Sequence, residues 1–233
     1  MQKWFEFKNQ TETSAEMYFY GDIAGDEWGK WSDDDTCPKD VVNALRECEG
    51  KELNIYINSG GGDVFGGVAI YNVLKRHKCK KTVHIDGLAG SIASVIAMAG
   101  DEIIMPENAY MMIHKPWTNA FCVNSDDLRS IADTLDTLEN GILNIYETKL
   151  ADGIEIETIK NMLSDETWLT GKEAKKYFKI SVNNVVNAAA CVSKCFKNYK
   201  KIPDKIKKQK SEKENNNDML KQKLQIELDL LSV

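Results

Sequence analysis

The sequence predicts an α/β fold with much parallel strand pairing, and three observations carry that prediction. Short β-rich runs alternate with helical patterns from residue 53 to about 190, an order that lays helices over a largely parallel sheet. Two strand-to-helix junctions are rich in glycine and small residues, at Gly60-Gly61-Gly62 and at Gly87-Leu88-Ala89-Gly90. The 233 residues are 42% hydrophobic and 28% charged, the balance of one globular domain with an appendage rather than of a disordered chain.

Each element follows from its pattern. Met17-Tyr18-Phe19-Tyr20 reads as a strand that ends in the turn-prone Gly21-Asp22, and a polar loop rich in Gly and Asp runs from Gly25 to Asp35. Val41, Val42, Leu45 and Cys48 recur at helical spacing, with Asp40 placed to cap. Leu53-Asn54-Ile55-Tyr56-Ile57 is a β-rich run that stops at Asn58-Ser59 and the first glycine cluster. A helix opens at Asp63 and carries Val64, Val68, Ile70, Tyr71 and Leu74. Thr82-Val83-His84-Ile85 is the next strand, ended by Gly87. Ser91 to Ala99 is small and apolar on every side, the mark of a buried helix. Ile103-Ile104-Met105 and Tyr110-Met111-Met112-Ile113 are strands bounded by Pro106 and Pro116. A long amphipathic helix runs from Ser125 to Leu150, and a shorter one from Ile156 to Leu163. These elements make a domain of residues 1–190. Residues 191–217 read as a flexible basic linker, crowded with Lys194, Lys197, Lys200, Lys201, Lys205, Lys207, Lys208 and Lys210. Leu220, Leu224, Leu228 and Leu231 mark a short amphipathic helix over 218–233, which needs a partner surface to be stable.

Composition narrows the function. The net charge of −6 argues against nucleic acid as the main partner. No run of about 18 apolar residues is present, so no membrane span is expected. Met1 to Glu6 lack the uninterrupted apolar stretch of a secretory signal, and the six cysteines are scattered without a CxxC, so a reducing cytoplasm is expected. Cys191 and Cys195 have half a metal site's spacing, but His77, His84 and His114 offer no complementary ligand spacing. No metal and no cofactor are expected.

The glycine-rich junctions carry the chemistry. The first fails as a nucleotide loop: Phe65 stands where GxGxxG requires its last glycine, and Gly67 where GxxxxGK requires lysine. It does offer bare backbone N–H groups beside a helix start, suited to an anion or a developing oxyanion. The second places Ser91 at a helix N-terminus, where the dipole favours an alkoxide; a serine there also serves as a plain helix cap. It is not the nucleophile elbow GxSxG, since Ala89 and Ala93 flank it. His114 follows the strand Tyr110–Ile113 and is the best candidate base; His77 lies in a polar stretch and His84 in mid-strand. A carboxylate to orient the imidazole is offered by Asp165 or Glu166.

Taken together, the segments Ile55–Val64, Ala69–Asn72, Gly87–Ser94, Met111–Trp117 and Glu166–Ala174 resemble, in order and spacing, the ClpP family of self-compartmentalising serine peptidases. They are most similar to its phage and prophage branch, the head maturation (prohead) proteases. The resemblance implies the ClpP/crotonase-like fold, a repeated β-β-α spiral with a long handle helix (here Ser125 to Leu150) and a C-terminal extension. It implies Ser91 as nucleophile, His114 as general base, and the backbone N–H groups of Gly61 and Ile92 as oxyanion donors. Glu166, in Glu-Thr-Trp, matches the phage branch as third triad member; the housekeeping branch has aspartate at that position, and Asp165 is its neighbour. Gly60 replaces the proline usual before the glycine pair, and Lys179-Ile180-Ser181 replaces a Gly-containing domain end. The resemblance further implies a homo-oligomer, a heptameric ring or stacked rings, acting on polypeptides such as capsid or scaffold proteins, without an ATPase, in the host cytoplasm or a procapsid. Two other readings share the fold: a crotonase-like acyl-CoA enzyme, which does not need Ser91 and His114 to cooperate, and a catalytically dead ring scaffold.

Overall fold

The computed structural model describes residues 7–8, 11–184 and 193–203. Its frame is an eight-stranded mixed sheet. Strands β1 (Phe7–Lys8) and β2 (Ser14–Phe19) pair antiparallel, and β2 then pairs in parallel with β3 (Glu52–Ser59), and β3 with β4 (Lys81–Gly90). Alternation of side chains decides the faces: Ala15, Met17, Phe19, Leu53, Ile55, Ile57, Val83 and Ile85 are all buried in one core. On the opposite face, Tyr18, Tyr56 and His84 stack across the three strands at centroid spacings of 4.7 and 4.8 Å.

The fourth strand is longer than its sequence suggests. Expected to end at Gly87, β4 continues to Gly90 because it changes partner. Thr82–His84 pair with β5 (Glu102–Pro106), whereas Leu88–Gly90 pair with β6 (Tyr110–Ile113). The register shifts between Ile57 and Ser59, and the Asn58 side chain fills the gap by accepting from the Leu88 N–H at 3.1 Å. Strand β7 (Thr167–Thr170) pairs antiparallel with β6, and β8 (Ser181–Asn183) closes the far edge on β5.

The helices are set by local chemistry. Helix α1 (Pro38–Glu47) has proline in its first turn, and Asp40 caps from inside the helix by accepting from the Cys37 N–H at 2.8 Å. Asp63 caps α2 (Val64–Arg76) by accepting from Gly66 N–H at 2.7 Å. A Cβ at Gly67 would sit 2.1 Å from Ile92 Cγ1, so glycine there lets α2 close on α3 (Ile92–Ala97). All six residues of α3 are buried. Helix α4 (Ser125–Glu147) starts on an Asn124–Asp127 capping box and stops at Glu147, three residues short of the expected Leu150. Its buried positions, Glu139, Ile142, Leu143 and Tyr146, all lie in its C-terminal half. Helices α5 (Ile156–Ser164) and α6 (Gly171–Tyr177) complete the packing.

Met1–Tyr199 form one compact unit, and Lys200–Val233 a second, of which residues 200–203 are described. The expected domain end at 190 is corrected here: Ser193–Tyr199 is not a solvated linker. It carries a 3₁₀ turn, Lys194–Asn198, and buries Phe196 and Tyr199. The rest of the expected linker and the helix at 218–233 lie outside the described residues. Among the described residues no helix is long and apolar enough to cross a membrane.

Candidate active site

Ser91 sits where β4 turns into α3. Its backbone is forced to φ +51°, ψ −126°, a conformation that costs a non-glycine residue about 1–3 kcal/mol. Hydrogen bonds hold it there. The Ser91 N–H donates to Met112 O at 2.8 Å, and Ser91 O accepts from Ser94 N–H at 3.0 Å and from Ser94 Oγ at 2.5 Å. Ser94 Oγ is in turn 2.7 Å from the buried Tyr146 hydroxyl. The turn thrusts the Ser91 hydroxyl out of an otherwise apolar helix start.

His114 leaves the end of β6, the strand beside the last turn of β4. Its Nε2 lies 2.7 Å from Ser91 Oγ, within the reach a general base needs. The strand end is pinned by the next residue. Lys115 N–H donates to Leu163 O at 3.1 Å, and Lys115 Nζ pairs with the buried Glu139 at 2.9 Å. Burial pulls the His114 imidazole below its ordinary pKa, against an opposing pull from the Glu166 charge. A neutral imidazole at pH 7 follows, the form that accepts a proton. The other histidines lie elsewhere: His84 is in the aromatic stack, and His77 Nε2 contacts Lys51 O at 2.7 Å.

The two candidate carboxylates separate sharply. Asp165 is the exposed C-cap of α5. The chain then turns through φ +50° at Glu166, which drives that side chain inward to 8% exposure. The Glu166 charge acts on His114, and Trp168 Nε1 donates a long 3.4 Å bond to its Oε1. Adjacent residues at a helix end thus face opposite ways, a difference set by one left-handed residue.

Gly61 and Ile92 are brought side by side. A Cβ on Gly61 would lie 2.7 Å from Ser91 Cβ and 3.2 Å from Ile92 N, and its φ is +103°, so only glycine fits. The Ile92 N–H opens α3 and has no acceptor within its own helix by position. The Gly61 N–H is turned the other way: it donates to Ser59 Oγ at 3.1 Å, and Ser59 Oγ donates to Gly21 O at 2.6 Å. One of the two expected oxyanion donors therefore points away from the serine in this structure.

A cleft of about 760 Å³ opens beside the pair, lined by Ser91, His114, Phe65, Trp117, Ile131 and Leu135 among others. Its size and apolar walls suit an organic ligand or a peptide side chain. Lys194, Cys195 and Asn198 also border it, which the sequence did not foretell. Phe196 and Tyr199, three residues apart and apolar within a basic run, were the available signal. No cluster of metal-ligating side chains occurs among the described residues.

A serine held in a strained strand-to-helix turn, with a histidine nitrogen on its hydroxyl and the charge of a buried carboxylate acting on that histidine, defines a Ser–His site on a largely parallel α/β frame. The chain belongs to the Clp protease family, whose family model matches residues 34–185. It is 32% identical over 130 residues to an ATP-dependent Clp protease proteolytic subunit of Deinococcus radiodurans, covering 54% of this chain and 62% of that protein. The proteins of the same description from Porphyromonas gingivalis (28% over 131 residues; 55% and 57% covered) and Leuconostoc citreum (31% over 130 residues; 54% and 64% covered) are similar to it. The matched region thus spans about three fifths of these relatives' length.

Proposed function

We propose that this chain is a serine endopeptidase subunit that cleaves polypeptides by acyl transfer. The 2.7 Å contact between Ser91 Oγ and His114 Nε2 carries the reading. In it, Ser91 Oγ attacks a peptide carbonyl while His114 Nε2 takes the hydroxyl proton. The tetrahedral oxyanion forms beside the Ile92 N–H, and beside the Gly61 N–H once that peptide turns. His114 returns the proton to the departing amine, leaving an acyl-serine, and then activates the water that releases it. Glu166 favours the transient imidazolium by its charge.

The relatives' description as proteolytic subunits supports a ring-forming protease with separate partners. The finer reading is a phage or prophage head maturation protease that works without an ATPase on capsid or scaffold proteins. Glu166-Thr167-Trp168 favours it, since glutamate at that place resembles the phage branch.

The test is labelling by a fluorophosphonate. Labelling of the wild type that disappears in Ser91→Ala supports the peptidase. Labelling that persists in Ser91→Ala, or no labelling of any form, refutes it and favours acyl-CoA chemistry of the crotonase type or an inert ring. Cleavage of an unfolded protein without added ATPase separates the phage reading from the ATP-dependent one.

A further inference from the structure

The segment Ser193–Tyr199 lies on the catalytic pair, more than 75 residues from it in sequence. Ser193 Oγ donates to Asp22 Oδ1 at 2.5 Å, and the Lys194 N–H donates to Asp22 Oδ2 at 3.1 Å. Asp22 precedes Ile23, whose N–H bonds Gly61 O at 2.8 Å, so the anchor and the glycine loop share one support. At the other end, the Tyr199 ring meets His114 edge-on at 5.2 Å and Trp168 at 6.0 Å. Ser193, Phe196 and Tyr199 are 6%, 4% and 8% exposed. This is a seated segment, fixed at both ends.

The seat depends on Gly60. A Cβ there would come within 2.1 Å of Ser193 Oγ. The bare glycine is therefore the space that Ser193 fills.

The Tyr199 hydroxyl donates a short hydrogen bond to Gly60 O. The consequence follows from peptide geometry. Gly60 C=O and Gly61 N–H belong to one trans peptide unit and point in opposite directions. With the carbonyl held toward Tyr199, the N–H is turned away, onto Ser59 Oγ. A developing oxyanion at Ser91 then lacks one of its two expected N–H donors.

The geometry points to Ser193–Tyr199 as a built-in inhibitor: it fills a tyrosine-binding seat beside Ser91 in cis and holds the Gly60–Gly61 peptide with its oxyanion donor turned out. The inference rests on the peptidase reading above. A substrate then has two tasks, to displace Tyr199 and to let the peptide turn.

The test uses the full chain and three variants, Tyr199→Phe, Tyr199→Ala and Ser193→Ala, with two measurements. One is the rate of fluorophosphonate labelling at Ser91. The other is hydrogen exchange at residues 60–62 and 193–199, which needs no activity. Removing the hydroxyl alone raises the labelling rate about fivefold, the worth of one buried hydrogen bond. Removing the ring raises it more than about tenfold, and Ser193→Ala, which leaves the ring intact, moves it in the same direction. Exchange rises at both segments together in each variant. Fast exchange of 193–199 in the wild type overturns the inference, as does unchanged or slower labelling when exchange shows the segment released. Slower labelling in Tyr199→Phe assigns Tyr199 to positioning His114 instead. Segment release with no labelling of Ser91 in any form condemns the peptidase reading, and the inhibitor role with it.

Discussion

Replacing Gly61 by alanine tests whether the glycine loop serves the serine or merely turns the chain. The residue has φ +103°, and an added Cβ would lie 2.6 Å from Gly90 O and 2.7 Å from Ser91 Cβ. Two costs combine. The left-handed backbone costs about 1–3 kcal/mol, and forcing a methyl against backbone costs about 1–3 kcal/mol more. At about 2–4 °C per kcal/mol for a unit of this size, melting falls by roughly 5–20 °C. Gly153 is the control. Its φ is +81°, yet nothing lies within 4 Å of its added Cβ. Gly153→Ala therefore meets only the backbone cost and lowers melting by about 2–12 °C. The steric part of Gly61→Ala is delivered onto Ser91, the proposed nucleophile, so fluorophosphonate labelling falls about 10²–10³-fold, as when one oxyanion donor is removed. Calorimetry and labelling kinetics measure the two effects separately. Equal melting losses in the two variants, with Gly61→Ala labelling within about threefold of wild type, would refute the assignment.

The remaining predictions concern the groups around the dyad. Glu166→Gln removes the charge that raises the His114 pKa, so the acid limb of the kcat/KM profile moves to lower pH and the rate falls about 10²-fold or more; the exposed Asp165→Asn leaves the profile in place. Because burial already lowers the His114 pKa below its unfolded value, stability is full above about pH 6.5 and falls as pH drops toward the folded pKa, a dependence that His114→Gln should remove. Lys115→Met leaves the buried Glu139 without its ion pair and costs about 2–3 kcal/mol in denaturant titration, reduced from the fully buried case because Lys115 is half exposed. Ser94→Ala strands the buried Tyr146 hydroxyl and unclamps Ser91 O, costing about 1–3 kcal/mol. Adding Tyr146→Phe should recover part of that stability; a simple sum of the two single losses would show that no shared network exists.

Local chemistry determined a great deal. The Asp63 cap, the alternation in Leu53–Ile57 and the small, mostly apolar Ile92–Ala97 are properties of short segments, and the elements they specify formed where they were read. The glycine runs marked both strand-to-helix junctions because nothing else tolerates such close backbone approach. Ser91 and His114 were legible as candidates because each stands at the end of a strand, where a parallel sheet collects its functional side chains.

What tertiary structure alone decided involves groups far apart in sequence or backbone angles without a sequence signature. Strand β4 outran Gly87 because β6 offered it a second partner. Only the resemblance of Glu166-Thr167-Trp168 favoured Glu166 over Asp165, and the fold, with φ +50° at Glu166, leaves Asp165 exposed and Glu166 buried. Tyr199 reached Gly60 across 139 positions, from a stretch whose lysines read as solvated linker. A sequence specifies its short-range preferences residue by residue. Which distant surfaces then bury one another is settled only when the whole chain competes for a common core, so the segment that borders the cleft became visible only in the folded structure.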